Sequence, residues 1–463
     1  MVCVCLICTA VFAGGATEGK KATNKALTWW EHFETLTAMN EDLFNEFTEK
    51  NGIEVEYTLS SPDKMADALL VAYRANQLPD VLSLPFSDVS NISTMFNEGW
   101  FQPLSFDSSS LPADIVSNLY EGLTLHDGKV YSLPIFKQNH VALTFYHPSM
   151  ITKDEVPVTY QEFYESCKKV YEESNGKVYG LVLPMTFTRR MDETFKCLMD
   201  AAGKPVVDYM TGEYQYDSDE MIELFALLAK MWDEGLIHPS SVNFNMKQAR
   251  ERWAAGEAAY LIDGIWNVGI TKMNFDSELS DFGVAEPIRP EKGEYMIYKV
   301  PQGGSYYISS SSRYAEESSS MLLGTLDEEY QIKLANVMDQ PPYDLSVLDK
   351  ADVHSSYIEG CDIFEKDMGN EPYPILKNIN TSRVYATMRT ISPTPCEILN
   401  GYFSGAIKDW KSELSKYNAA MDKERTEAIA KVKASGYEVS LDDWKFPNFV
   451  YGESYTNEKY EEL

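Results

Sequence analysis

The sequence predicts an α/β fold of two large interleaved domains, and three observations predict it. The chain has 463 residues, and at about 100–200 residues per domain this length suits two large domains or three small ones. Short β-type runs alternate with helical patterns early in the chain, and such repeats indicate an α/β domain. The chain has neither an internal repeat nor a long low-complexity linker, so we expect its domains to be interleaved rather than joined in series.

The first mature segment predicts a strand, a helix and a second strand. Ala26–Trp30 is a short β-type run, and apolar residues recur at helical spacing from Leu36 to Phe47. Gly52 then ends the helix, and alternation over Ile53–Tyr57 indicates the second strand. Two strands joined by one helix favour a parallel, right-handed crossover.

Further elements follow the same logic. Ser61-Pro62 predicts a helix start, and Val81–Leu84 is another short strand. Ser218–Glu234 carries the apolar stripe of a helix. A long amphipathic helix is predicted from about Ser404 onward, and the acidic, aromatic tail after Gly436 is predicted to pack as an irregular extension.

The charge of the chain excludes one class of partner. The formal net charge is −31, from 71 acidic and 40 basic residues. Such a surface repels phosphate backbones, so we expect no nucleic-acid partner, and it disfavours anionic lipid headgroups. The charge indicates high solubility; alternatively it indicates a neutral or cationic ligand, unless local basic residues override the global field.

The first residues predict export. Val2–Ala13 is almost wholly apolar but shorter than the about 20 residues that span a bilayer. It is followed by a polar, flexible stretch, so residues 1–25 are interpreted as a signal peptide and the flexible start of the mature chain. A lipid anchor on Cys8 is the alternative, although Ile7 before it is bulky for a lipoprotein cleavage site. We expect the periplasm or the extracellular face of the membrane.

Motifs of catalysis, metal binding and cofactor binding are absent from the sequence. It contains no GxSxG, HExxH, P-loop or GxGxxG pattern, and its histidines are scattered. Beyond the leader no CxxC pair exists, and the four cysteines there are far apart: Cys167, Cys197, Cys361 and Cys396. We expect four buried thiols, with one or two disulfides as the alternative, and neither metal, cofactor nor catalytic residue.

Several segments, taken together in their order along the chain, resemble those of a known family, although each segment alone is a weak match. In order, they read TWWEHFE, FNEFTEKNGIEVEY, LPDVLSL, DGKVYSLPIF, LTFYHPSMI, VPVTYQEFYESCKKV, DEGLIHP, WAAGEAAYLIDGIWNVG, FGVAEP, GGSYYIS and EILNGYFSGAIKDWKSELSKYNAAMDKE. The ordered set resembles family 1 extracellular solute-binding proteins, the group that includes maltose-binding protein, over nearly all of the mature chain.

The resemblance implies a two-lobed periplasmic-binding-protein fold of type II, with interleaved lobes, a hinge and extra C-terminal helices. It places residues 26–138 and about 287–340 in lobe 1, and residues 139–286 and about 341–463 in lobe 2. Such proteins are monomeric receptors of ABC importers; they bind a small solute, here expected to be a sugar, between the lobes and deliver it to the permease subunits. They are not enzymes.

The resemblance also implies ligand residues in the first lobe. Trp30, Glu31 and His32 follow the first strand, where the family places groups that bind sugar hydroxyls. The alternative for them is a solvated approach to a helix. Asp88 lies just past LPDVLSL and matches a ligand position, although aspartate at that place also suits a helix N-cap.

Two further positions lie at and beyond the first crossing between the lobes. Asn139 and His140 follow SLPIF, where the family often has a polar or acidic ligand residue. The sequence here is KQNH, which departs from a carboxylate. Arg189, with Arg190 beside it, could reach a hydroxyl or carboxylate of the ligand, and a surface ion pair is the commoner role of such a residue.

Trp266 matches the position where the family stacks an indole on a sugar ring, and a core tryptophan is the alternative. Gly264 would let the chain turn close to the ligand. Gly304 and Tyr306 lie in a glycine-rich strand entry whose backbone or tyrosine faces the cleft, unless the turn is purely structural. Two other functions stay open: a receptor for a non-sugar solute such as a polyol phosphate or peptide, and a secreted carbohydrate-active enzyme.

Overall fold

The computed structural model describes residues 25–84, 89–275, 279 and 281–463. Their strands are β1 (Leu27–Glu31), β2 (Val55–Leu59), β3 (Val81–Ser83), β4 (Phe101–Gln102), β5 (Leu125–His126), β6 (Lys129–Val130), β7 (Leu143–Tyr146), β8 (Tyr179–Val182), β9 (Ala258–Asp263), β10 (Gly283–Ala285), β11 (Ile297–Lys299), β12 (Tyr306–Ser309) and β13 (Met368–Asn370). The predicted signal peptide lies outside these residues.

The α-helices are α1 (Thr37–Asn51), α2 (Pro62–Arg74), α3 (Val89–Glu98), α4 (Ala113–Ser117), α5 (Tyr160–Glu173), α6 (Thr188–Ala201), α7 (Asp219–Asp233), α8 (Met246–Ala254), α9 (Asn267–Phe275), α10 (Ala315–Gly324), α11 (Glu328–Val337), α12 (Ser355–Asp367), α13 (Pro374–Lys377), α14 (Thr381–Thr387), α15 (Pro395–Phe403), α16 (Trp410–Ala434) and α17 (Asn457–Glu461). Short 3-10 helices span Glu34–Leu36, Ser108–Ser110, Lys153–Glu155, Pro239–Asn243, Leu345–Lys350 and Leu441–Trp444. No helix within the described residues is long and apolar enough to cross a bilayer.

Two sheets organise the chain into two lobes. The first has the strand order β2-β1-β3-β12-β4, with β1 parallel to both β2 and β3 and with β12 antiparallel to both β3 and β4. The second has the order β10-β7-β9-β8. The first sheet thus receives β12 only after the chain has completed the second sheet. This confirms the predicted α/β fold with interleaved lobes.

Each sheet is covered by its own apolar core. Around the first sheet, Trp29 packs against Phe44 of α1 and against Tyr306 of β12. Around the second, Phe163 of α5 contacts Tyr260 of β9 in a larger cluster. Burial of such large side chains is the main source of folding free energy. The two lobes are therefore stabilised by separate clusters of buried side chains.

Three segments of chain cross between the lobes and lie side by side. The Lys137 backbone N–H donates to the Pro341 carbonyl at 3.0 Å, and the Gln138 side-chain amide donates to the Val300 carbonyl at 2.8 Å. The Gln302 amide donates back to the Phe136 carbonyl at 2.8 Å. Connections of this kind between two lobes are where hinge motion takes place. The exact domain boundaries given above stay a prediction.

Most of the predicted elements are present. β1, α1 and β2 lie within a few residues of their predicted places, and β1 and β2 are parallel. Gly52 ends α1 with φ 66°. Ser61 precedes α2 but its side chain makes no capping hydrogen bond, whereas Ser218 caps α7 by accepting from the Met221 N–H at 3.3 Å.

One predicted boundary is wrong. The long C-terminal helix begins at Trp410, not near Ser404. Gly405 has φ 77°, a left-handed conformation that interrupts a helix, and the Asp409 side chain caps the new helix by accepting from the Ser412 N–H at 3.1 Å. The spacing of apolar residues continued across this break, so periodicity alone could not locate it.

The C-terminal region ties the two lobes together outside the hinge. The Asn370 amide donates to the Tyr120 hydroxyl at 2.7 Å, and Tyr373 and Ile375 pack with Tyr120 and Leu123 of the first lobe. The tail after Gly436 is mostly irregular, as predicted, with two short helical turns. The four cysteines Cys167, Cys197, Cys361 and Cys396 are all free and buried, so the disulfide alternative does not hold in this structure.

Candidate functional site

A cleft of about 430 Å³ lies where the two lobes and the crossing segments meet. Its lining residues come from the first lobe, from the hinge and from the second lobe: His32, Phe33, Leu84, Phe136, Lys137, Gln138, Asn139, Arg189, Glu193, Lys299, Val300, Pro301, Gln302, Gly303, Gly304, Ser305 and Gln340. Its volume lies within the about 300–1,000 Å³ range of small-molecule sites. We call it the interlobe cleft.

The first-lobe wall is built at the carboxyl end of β1. The His32 Nδ1 lies 2.6 Å from the Ser83 hydroxyl oxygen, and the His32 backbone N–H donates to the same oxygen at 3.2 Å. Burial lowers the pKa of His32 to about 4, so the ring is neutral at pH 7. Phe33 adds an aromatic face, and its ring meets that of Phe136 edge-on at 5.3 Å. This wall is uncharged and mostly aromatic.

The second-lobe wall is ionic. Arg189 is the second residue of α6, and Glu193 lies one turn further along the same helix. The Glu193 carboxylate pairs with the Lys299 ammonium and lies 3.7 Å from the Arg190 guanidinium. Burial raises the pKa of Glu193, but Lys299 and Arg190 outweigh burial and hold that pKa at about 2. Glu193 is therefore ionised, and its carboxylate interacts with the cationic side chains of Lys299 and Arg190.

The hinge supplies amide groups to the floor of the cleft. The Asn139 amide donates to the Gln340 side-chain oxygen at 2.7 Å, which joins two crossing segments. Gly304 also lines the cleft, and a Cβ atom built there would overlap the Ser132 side chain. Gly304, predicted at a glycine-rich strand entry, thus lines the cleft and packs directly against Ser132. Asn139 lies at the first crossing and Gly304 at the entry to β12, where the sequence placed them.

Glu31 and Tyr306 do not line the cleft, contrary to expectation. The Glu31 side chain is fully buried and accepts hydrogen bonds from the Tyr306 hydroxyl at 2.8 Å and from the Asn40 amide at 3.0 Å. The Trp29 indole N–H donates to it as well, at 3.2 Å. Strand β1 alternates faces, so Glu31 shares the inner face with Trp29 while Trp30 packs half-buried on the outer face.

His140 is likewise an internal residue. Its Nδ1 accepts from the Ala142 backbone N–H at 3.1 Å, so its Nε2–H donates to the Asp367 carboxylate at 3.1 Å. Both side chains are almost inaccessible to solvent. The pair joins the first crossing segment to the end of α12, and His140 therefore positions the hinge instead of facing the cleft.

Trp266 lies beside the cleft but is absent from its lining. Its indole is half-buried, and the Arg190 guanidinium stacks 4.5 Å from the ring centroid. A Cβ atom at Gly264 would overlap the benzo ring, so only glycine lets the indole lie against that turn. The structure brings Trp266 and Gly264 together, with Arg190 where a sugar ring was expected.

Asp88 lies outside the described residues, so its expected role stays a prediction. Sequence reasoning missed Phe33, Phe136, Glu193, Lys299 and the three glutamines of the crossing segments, all of which line the cleft. For these residues, the only sequence signal was the KQNH segment: Lys137 and Gln138 directly precede Asn139 and His140, which were predicted to bind ligand. The others face the cleft through contacts between segments more than a hundred residues apart.

The arrangement suits binding more than acid–base catalysis. Within the described lining, Glu193 is the one carboxylate, and its low pKa disqualifies it as a proton donor near neutral pH. A glycosidase requires two carboxyl groups about 5–10 Å apart across the bond to be cleaved. Elsewhere, ligand atoms of Glu121, His126 and Asp127 lie within 4.8 Å of one another, but both Glu121 oxygens accept backbone N–H groups of an exposed hairpin turn.

Comparison with known proteins agrees with this architecture. Residues 42–357 match the family described as bacterial extracellular solute-binding protein. The galactooligosaccharide-binding protein of Bacillus subtilis (strain 168) is 24% identical over 354 residues, which cover 72% of this chain and 76% of that protein.

Solved structures share the fold at lower identity. The GacH receptor of Streptomyces glaucescens, solved unliganded and with acarbose, gives a TM-score of 0.64 at 17% identity and covers 86% of this chain and 98% of its own. The sugar-binding protein MalE of Xanthomonas citri gives 0.62 at 15% identity, covering 90% and 100%. These likenesses confirm the predicted type II two-lobed fold. From the match over residues 42–357, the chain belongs to the family of bacterial extracellular solute-binding proteins.

Proposed function

We propose that this protein is the receptor of an ABC importer, that it binds a sugar or oligosaccharide in the interlobe cleft, and that closure of the lobes presents the loaded receptor to a membrane permease. The observation that carries the proposal is the composition of the cleft. His32 and Phe33 of the first lobe face Arg189 and Glu193 of the second across the crossing segments. A solute bridging these walls favours the closed state, because only there can it contact both.

The chemistry of the cleft suits carbohydrate. Phe33 and Phe136 offer apolar faces for the C–H side of a sugar ring. The amides of Gln138, Asn139 and Gln302, which line the floor, offer both donors and acceptors to hydroxyl groups. The relatives named above carry names that refer to galactooligosaccharide, acarbose and sugar, and a third structural relative was solved with raffinose. We infer a carbohydrate ligand for this chain from the side chains that line the cleft and from the names of these relatives.

Location and partner follow from the family. An extracellular solute-binding protein works in the periplasm or on the outer face of the membrane and delivers its solute to permease subunits. We propose that the apolar segment Val2–Ala13 directs export as part of a signal peptide, with a lipid anchor at Cys8 as the alternative. We propose that the receptor acts as a monomer.

A ligand panel tests the proposal. Thermal unfolding of the mature chain would be followed with monosaccharides, oligosaccharides, polyol phosphates and short peptides. A ligand at about a hundredfold excess over its Kd stabilises the folded state by about 2.7 kcal/mol, so a true ligand raises the Tm clearly. A shift with a saccharide is expected. If only peptides or polyol phosphates raise the Tm, the ligand is a solute other than a sugar.

A matched pair of variants ties binding to the cleft. Phe33 and Phe106 are both half-buried phenylalanines packed against the first-lobe core, but only Phe33 lines the cleft. Phe33→Ala is expected to weaken the ligand about tenfold or more, and Phe106→Ala to leave affinity unchanged at a similar loss of packing. Equal affinities in the two variants would show that the ligand binds outside the interlobe cleft.

Turnover distinguishes the receptor from a carbohydrate-active enzyme. Oligosaccharides that bind would be incubated with the protein at high concentration and the products analysed by mass. Intact ligand is expected. Hydrolysis that disappears in Glu193→Gln would instead assign catalysis to the cleft.

A further inference from the structure

A segment of the C-terminal region leaves the second lobe beside the interlobe cleft and later returns to it. At its start, the Glu371 carboxylate lies 2.9 Å from the Lys196 ammonium of α6. At its end, the Cys396 backbone N–H donates to the Asp192 carboxylate of α6 at 2.7 Å. We call residues 371–396 the strap. Both of its ends are therefore fixed to the helix that forms the second-lobe wall of the cleft.

Between these ends the strap packs on the first lobe. Tyr373 and Ile375 of the strap are buried in one apolar cluster with Tyr120 and Leu123 of the first lobe. Directly before the strap, the Asn370 amide donates to the Tyr120 hydroxyl at 2.7 Å. Further along, α14 runs beside α3 of the first lobe. The strap thus joins the two lobes in addition to the three crossing segments.

Polar contacts hold the strap to the C-terminal helix α16 and to the tail. The Arg389 guanidinium binds both oxygens of the Glu424 carboxylate of α16, at 2.5 and 3.1 Å. The Lys377 ammonium donates to the backbone carbonyls of Asp442 and Lys445 in the tail, at 2.9 and 2.7 Å. The cluster on the first lobe is mostly apolar by comparison, so the strap is held more firmly on the side of α16.

Helix α16 carries the strap as part of the second lobe. Val384 of α14 is fully buried in one cluster with Ile429 and Val432 of α16. The first turns of α16 place Trp410 and Leu414 in the second-lobe core. A movement of one lobe against the other therefore separates the strap from the first lobe and leaves it attached to α16.

We infer that the strap is a latch: its docking on Tyr120 and Leu123 holds the lobes together beside the cleft, and the cleft opens when that contact breaks. The inference goes beyond the proposed function, because the latch acts before any solute binds. Opening exposes the large apolar side chains of the contact to water, which costs free energy. The latch therefore shifts the ligand-free protein toward the arrangement of this structure and slows the escape of a bound solute.

Distance measurements between the lobes test the latch without any ligand. Spin labels would be attached to Asp67→Cys on α2 and Glu165→Cys on α5, two exposed positions in different lobes, and their distance distribution would be recorded by pulsed EPR. The native thiols are buried, so the introduced cysteines take the labels. Ile375→Ala is expected to raise the population of longer distances by roughly tenfold or more, because it truncates a buried side chain of the contact.

Two further variants separate the latch from a general loss of packing. Ile151→Ala truncates an isoleucine of nearly the same burial in the second-lobe core and is expected to leave the distances unchanged. Tyr120→Phe keeps the ring and removes the hydroxyl that accepts from Asn370. It is expected to lengthen the distances by a smaller factor than Ile375→Ala, and it decides the question if Ile375→Ala does not fold. Unchanged distances in both latch variants, or an equal shift in Ile151→Ala, would overturn the latch and leave the proposed sugar receptor standing.

Discussion

The Glu31 carboxylate accepts a hydrogen bond of 2.8 Å from the Tyr306 hydroxyl inside the first lobe, although both residues were expected to bind ligand. The bond joins the end of β1 to the start of β12, the strand that returns from the second lobe. Burial raises the pKa of Glu31 to about 7, even though Tyr306 and Trp29 donate to the carboxylate and act to lower it. The contact therefore titrates near neutral pH.

Stability should fall as pH rises because of Glu31. Its folded-state pKa of about 7 lies above the ordinary value of 4.5, so the folded protein holds this proton where the unfolded chain has released it. The favourable contribution is complete below about pH 4.5 and is lost as pH rises through 7. We expect a loss of about 3 kcal/mol from this group between pH 5 and pH 8. Urea unfolding at both values measures it.

Glu31→Gln is the control for that prediction. Other buried acids titrate in the same interval, and burial raises the pKa of Asp192 and of Asp200 to about 6. The relevant quantity is therefore the difference between the pH dependences of the native protein and the variant, which remains neutral throughout. Identical slopes in the two proteins would show that Glu31 does not carry the proton.

The ion pair between Glu193 and Lys299 should matter far more than a surface pair near it. Glu193→Gln leaves the Lys299 ammonium, whose side chain is 19% exposed, without its carboxylate. We expect a loss of about 1–3 kcal/mol in the free energy of unfolding. Glu365→Gln breaks the exposed Lys137 pair at 3.4 Å and should cost less than about 1 kcal/mol. Comparable losses in both variants would contradict the assignment of Glu193 as the wall's central anion.

Gly304 should not tolerate a methyl group. A Cβ atom there would overlap the side-chain oxygen and carbon of Ser132, whose hydroxyl donates to the Tyr306 carbonyl. Gly304→Ala is expected to lower the free energy of unfolding by about 1–3 kcal/mol and to weaken ligand binding, because the floor of the cleft must shift. Calorimetry and titration measure the two effects.

Gly324→Ala is the matched substitution. Gly324 ends α10, where an added Cβ atom would meet only an ordinary contact at 3.8 Å from Asp327. Alanine favours a helix over glycine, so stability should stay the same or rise slightly. A loss at Gly324 as large as that at Gly304 would show that the overlap with Ser132 is not the cause.

The sequence predicts the elements of this fold better than the faces on which their side chains lie. Periodicity located β1, α1 and α7, because each buries one face against its own lobe. It also placed Glu31 next to a ligand site, but the side chain lies on the inner face with Leu27 and Trp29. The alternation of β1 was visible in the sequence, and it was the available sign that Glu31 turns inward.

The missed cleft residues depend on contacts that no local pattern encodes. Lys299 reaches Glu193 across 106 positions, and His140 finds Asp367 across 227. Local propensity cannot choose between such partners, because loop closure and packing decide which segments meet. The resemblance to a known family predicted the two-lobed fold and pointed to Asn139 and Gly304, and the residues after PMTFT pointed to Arg189; all three line the cleft. The resemblance did not predict the ion pairs of the second-lobe wall.

The four cysteines should remain unreactive thiols in the native protein. Burial raises the pKa of Cys167 well above its ordinary value and that of Cys361 to about 12, so the reactive thiolate is scarce at pH 8. The Cα atom of Gly180 also leaves no room beside Cys167, because a Cβ atom there would overlap its side chain. A chain that begins at residue 25 would be treated with iodoacetamide without reductant. We expect no adduct under native conditions and four in denaturing urea, read by intact mass. Two adducts or none in urea would mean that disulfides form after export, and that the thiols of this structure describe only the reduced protein.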